Sequence, residues 1–217
     1  MRFVRTLFAV SFALTLASSF SSAQAQGMAP AGPPGPPPPA QPEASADARG
    51  VRTHDGFHLR LGVGYGYMTT SVEPGAGKIK GPGSAWLLTI GGTPVPGLVI
   101  GGTLFTHVQG KPTVEQGNFS GEASKAVFLL GIGPTVDFYP DPKGGLHFGG
   151  SLLYTSLNSV NYTSTGFGAH VFGGYDLFFS DQWSVGPTLQ LVFSKTAKDP
   201  EKDTTTSISA MITLLDH

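Results

Sequence analysis

Five residues in this sequence have the types to do chemistry together: His58, Arg60, Asp137, His147 and Asp176. Two imidazoles and two carboxylates around one guanidinium could form a metal site, a proton-linked site or an ion-paired plug. No pair of ligand-type residues within one segment has a metal-binding spacing, which disfavours the first. The set therefore reads as a structural polar cluster. Arg60 is expected to be neutralised by Asp137 or Asp176, with His58 and His147 completing hydrogen bonds, because buried charge is kept only when paired. A serine–histidine dyad at His107 is the competing chemistry, but no nucleophile-elbow pattern accompanies it. No catalytic, metal or cofactor residue is assigned, and the chain is not read as an enzyme.

For these residues to meet, stretches far apart in sequence must surround one interior. From 57 to 67 the odd positions are Phe57, Leu59, Leu61, Val63, Tyr65 and Tyr67, and the even ones are His58, Arg60, Gly62, Gly64 and Gly66. Period two is the signature of a β-strand with one apolar face. Seven further stretches repeat it, near 86–90, 98–104, 126–138, 146–154, 167–179, 183–194 and 207–214. Their direction of travel brings all five cluster residues to the same end of the interior. Val99, Phe105, Leu129, Leu153 and Phe172 also fall on the inner face, either filling the space or lining a path for small apolar solutes.

A soluble barrel alternates too, so the second face decides between core and lipid. That face is mostly Gly, Ser and Thr, whereas a water-exposed one needs about a quarter to a third charged residues. Only 12% of the 217 residues are charged. The apolar face is thus expected to meet lipid, where a charge at the midplane costs ~2–4 kcal/mol. Aromatics sort into two interface groups as in membrane barrels: Phe57, Phe138, Phe148, Phe179 and Trp183 below, and Tyr67, Trp86, Phe128, Phe167 and Phe193 above. Short connections alternate with longer ones over about 71–83, 109–124, 158–164 and 195–203, expected as outward loops. Pro134 and Pro187 fall inside strands, where a bulge is expected at each.

Ahead of the strands, Arg2 and Arg5 precede an apolar run and the small residues Ala23 and Ala25, the pattern of a cleaved signal peptide over 1–25. Residues 26–54 are rich in proline and alanine and read as an extended periplasmic linker. The barrel is expected over 55–217. A formal charge of -1 gives no reason to expect nucleic acid.

The hairpin from Gly174 to Gly186, with the alternation around it, resembles the small eight-stranded outer-membrane barrels of the OmpA/OmpX type. The resemblance covers about 56–217. It implies an all-β, eight-stranded, antiparallel up-and-down transmembrane barrel in a Gram-negative outer membrane, monomeric, with a structural or surface-interacting role. Implied partners are outer-membrane lipid, lipopolysaccharide and the barrel-assembly machinery, with the loop partner unknown. It also carries alternatives, a channel for small apolar solutes and a lipid A-modifying enzyme. The last residues, Leu215, Asp216 and His217, depart from the family's aromatic ending that the assembly machinery reads.

Overall fold

The computed structural model describes residues 53–54, 56–75, 77–159 and 162–216. The expected signal peptide, and the linker apart from Thr53 and His54, lie outside them. Eleven strands follow one another: β1 (Gly56–Glu73), β2 (Gly77–Val95), β3 (Leu98–Gln109), β4 (Thr113–Gln116), β5 (Phe119–Glu122), β6 (Val127–Phe138), β7 (Leu146–Ser159), β8 (Tyr162–Tyr175), β9 (Leu177–Phe178), β10 (Trp183–Lys198) and β11 (Glu201–Asp216). No helix occurs among the described residues.

The eight long strands pair antiparallel with their neighbours in the chain, and β1 pairs with both β2 and β11. The sheet therefore closes into an eight-stranded barrel without a free edge, which satisfies the backbone hydrogen bonds of a sheet surrounded by lipid. The β4–β5 hairpin stands at the upper end and adds to β2, while β9 continues the line of β8 against β10. Short connections occur at both ends: β2 runs into β3 at the lower end and β10 into β11 at the upper end through two residues each, and the long connection is the one from β3 to β6 that holds the β4–β5 hairpin.

Side chains alternate as the sequence demands. Arg60, Met68, Ala85, Phe105 and Leu129 are almost fully buried, whereas Leu61, Tyr65, Leu152, Phe167 and Leu189 stand exposed on the outside. Each such apolar side chain kept in water would forgo about 1.5–3 kcal/mol, so the outer surface suits lipid. The wall curves tightly because inward positions of β1 carry glycine. A Cβ on Gly64 or Gly66 would collide with the backbone of β11 at Ala210 or Ile208.

Two expectations are corrected. The stretches expected as outward loops are mostly strand: β1 and β2 stay paired up to Val72 and Gly77, β10 and β11 up to Lys198 and Glu201, β7 and β8 up to Ser159 and Tyr162, and 109–124 holds the β4–β5 hairpin. Polar residues such as Thr69, Thr70, Lys78, Lys80, Lys195 and Thr204 keep a strand's geometry without a hydrophobic signal. Nor does either proline make a bulge. Pro134 stays in register with Gly102 of β3, and Pro187 with Ile212 of β11. Each interrupts pairing only on its other side, where the register resumes unshifted. A residue's N–H points to one neighbour only, so its loss affects one ladder. The register shift lies instead between Gly92 and Val95 in β2, beside the turn to β3. There Pro96 precedes Gly97 at φ 81°, the arrangement of a type II turn, which needs glycine in its third position.

Candidate functional site

Arg60 extends from β1 across the lumen to the opposite wall. Its Nη1 donates to Asp137 Oδ2 of β6 at 2.7 Å, and its Nη2 to Asp176 Oδ2 at 3.0 Å. His147 of β7, the strand beside β6 on that wall, has Nδ1 at 3.1 Å from Asp137 Oδ1 and 3.2 Å from Arg60 Nη1. A proton on Nδ1 donates to the carboxylate; without it, Nδ1 accepts from the guanidinium. His58 is buried on the same face, two residues before Arg60. All five residues are almost fully buried at the lower end of the lumen. One cation faces two carboxylates, so the cluster holds a net charge of −1 with neutral imidazoles, and a proton on one histidine makes it neutral.

Two partners were not legible from strand alternation, because both lie outside the long strands. Tyr139, in the β6–β7 turn, accepts from Arg60 Nη2 at 2.5 Å and donates to Asp176 Oδ2 at 2.8 Å. His54, the last residue of the expected linker, stacks on the Tyr139 ring at 3.5 Å between centroids, and its Nε2 lies 3.1 Å from the Gly144 carbonyl. Its backbone is held as well, since His54 N donates to Pro142 O and Gly97 N donates to His54 O. Together they cap the lower end.

Above the cluster the lumen is filled. Met68, Leu87, Phe105, Leu129, Leu153, Val192 and Met211 belong to one buried apolar cluster, and Val99 packs lower down with Tyr139 and Leu215. Phe172 is also buried. Polar groups on the inner face pair across strands: Thr89 with Thr103 at 3.1 Å, Thr155 with Ser194 at 2.7 Å, and His170 Nε2 with Gln190 Oε1 at 3.0 Å. His107 Nδ1 lies 2.8 Å from Ser207 Oγ, so a serine and a histidine do meet. Both are buried within the packed lumen, and among the described residues no carboxylate hydrogen-bonds to either.

Near the upper end a second polar cluster centres on Asp203 of β11, a position expected to lie in a loop. Its Oδ2 accepts from Ser164 Oγ at 2.6 Å and Tyr162 Oη at 2.9 Å, with Thr196 Oγ1 at 3.4 Å. Burial and the Asp203 carboxylate raise the Tyr162 phenol above the usual tyrosine value. On the outer rim Lys80 Nζ meets Glu115 Oε1 at 2.7 Å, fastening β4 to β2.

The ten interface aromatics all lie on the outer face. Phe57, Tyr67, Trp86, Phe128, Phe138, Phe148, Phe167, Phe179 and Phe193 are exposed, and Trp183 is half-buried. Across neighbouring strands Phe138 meets Phe148 edge to face, and Phe167 meets the exposed Tyr154 in the same way.

No protein-family model matches the sequence, and no curated protein does. Solved structures do match in fold. Neisserial surface protein A is similar with a TM-score of 0.51 at 11% identity, over 73% of this chain and 96% of that one. The outer membrane protein OprG from Pseudomonas aeruginosa matches with a TM-score of 0.46 at 12% identity, over 76% of this chain and 98% of that one. The chain thus has the fold of the small eight-stranded outer-membrane barrels.

Proposed function

We propose that this chain is an outer-membrane barrel with a structural or surface-interacting role, without catalysis and with its lumen closed to solutes. The observation that carries this reading is the filled axis. The Arg60 cluster, capped by Tyr139 and His54, occupies the lower end, and the packed side chains around Phe105 and Leu129 occupy the region above. A path for small apolar solutes would have to displace both. The burial of Ser207 and His107 supports a non-catalytic role, because a nucleophile must reach its substrate.

The exposed apolar band supports placement in a bilayer. In this reading the lower end faces the periplasm, with the linker before it once the signal is removed, and the upper end faces outward. Assembly in the membrane would pass through the usual insertion machinery, and the barrel is monomeric. Lys195 and Lys202 stand exposed on the outer face just above Phe193, at the height where lipopolysaccharide phosphates would lie.

The test is gel migration of the outer-membrane fraction with and without boiling. A compact unboiled band that slows after heating supports the reading. Recovery in the soluble periplasm without any shift overturns it.

A further inference from the structure

The upper mouth of the lumen holds a cavity of about 230 Å³. Val72, Ile79, Val127 and Leu157, one from each of four strands, form its apolar wall, and Glu201 and Asp203 of β11 supply its charge. It lies above the packed plug.

Asp203 is the unusual member. Its residue is 1% exposed and three hydroxyls converge on Oδ2, yet Oδ1 is buried without a hydrogen-bond partner. Among the described residues no cation forms an ion pair with it. The nearby Lys198 Nζ instead lies over the Tyr162 ring, 5.1 Å from its centroid. Glu201, half-buried on the same strand, adds a second carboxylate. A buried carboxylate oxygen without a donor is costly, and costs least where a ligand supplies the donor.

We propose that this cavity binds a small amphipathic cation, a primary ammonium on a short apolar body. The ammonium donates to Asp203 Oδ1 within the field of Glu201, and the apolar body lies against Val127 and Leu157. Size limits the class. An apolar cavity of about 150 Å³ takes up benzene, so this one suits a single ring or a chain of about six carbons. Anions are excluded by the two carboxylates, and a neutral alcohol lacks the charge that makes the hydrogen bond strong. The proposal rests on the upper end facing outward only for its biological access. Binding itself is a property of the folded barrel.

The experiment titrates the full-length mature protein in detergent with hexylamine, reading the methyl resonances of Val72, Ile79, Val127 and Leu157 by NMR. 1-Hexanol and hexanoate serve as size-matched controls. Saturable shifts are expected for hexylamine, with affinity at least tenfold weaker for hexanol and for hexylamine on Asp203→Asn. Leu157→Trp, which fills the cavity and leaves Asp203 intact, should abolish the shifts. Equal binding of amine and alcohol overturns the proposal, as does unchanged binding in Asp203→Asn. If that variant gives no heat-resistant band, hexanol and Leu157→Trp decide the matter in the same way. Liposome efflux tests the closed lumen separately, so either claim can fail alone.

Discussion

The His54 ring lies nearly parallel to the Tyr139 ring, 3.5 Å between centroids and 22° from coplanar. Tyr139 in turn bridges Arg60 and Asp176. The segment leading into β1 is therefore joined to the ion-paired cluster through one aromatic contact, and the lower end of the barrel is closed by residues from both sides of its interior.

His54→Ala should weaken the cap without opening the barrel. An aromatic pair of this kind contributes about 0.5–1.5 kcal/mol. The temperature at which the compact gel band is lost should fall slightly, with the barrel still assembled. An unchanged transition would show that the stacking adds no stability.

Arg60→Ala should be far more damaging than His54→Ala, because it leaves Asp137 and Asp176 buried without their cation. Breaking a buried pair in this way costs about 3–5 kcal/mol. Asp137→Asn combined with Asp176→Asn in the Arg60→Ala background should recover part of the loss. Thermal melts followed by gel shift measure both, and failure of the triple variant to recover would remove charge pairing as the cluster's role.

Gly66→Val should prevent closure at the β1–β11 seam, since any Cβ there meets the Ile208 carbonyl oxygen and Ser209. The expected outcome is loss of the heat-resistant compact form, whereas Met68→Leu, two positions along the same inner face, should retain it. A compact Gly66→Val band would mean that the seam can yield.

The Tyr162 phenol, raised by burial and by Asp203, should ionise later than an ordinary tyrosine near pH 10. Its protonated form is favoured in the fold, so the stabilisation is complete below the unfolded value and is lost as pH rises through the higher folded value. The difference in 295 nm absorbance between wild type and Tyr162→Phe should thus appear only well above pH 10. Asp203→Asn should bring it downward.

Much of this architecture could be read from side-chain parity. The odd–even split of 57–67 matches the outer and inner faces of β1, and the shared end of Arg60, Asp137 and His147 followed from counting strand directions. What parity could not reveal lies where it carries no hydrophobic contrast or where a turn breaks it. The upper parts of β1, β2, β10 and β11 are rich in threonine, serine, lysine and glycine and carry no apolar alternation, so the pattern points to a loop at Asp203 and hides its meeting with Tyr162 and Ser164. Tyr139 and His54 lie in a turn and a lead-in segment, where no periodic pattern says which way a ring points. The prolines misled for another reason. A proline inside a strand reads as a defect of the whole ladder, whereas Pro134 and Pro187 each interrupt only the ladder that the missing N–H would have faced.

The most direct test of the closed lumen is efflux of a small solute from liposomes carrying the purified, heat-modifiable protein. The wild type should leak no faster than protein-free liposomes, and widening the plug with Phe105→Ala and Leu129→Ala together should raise the rate in a barrel that still resists detergent. Rapid efflux through the wild type, reduced by larger side chains at those two positions, would contradict the account and make the barrel a channel.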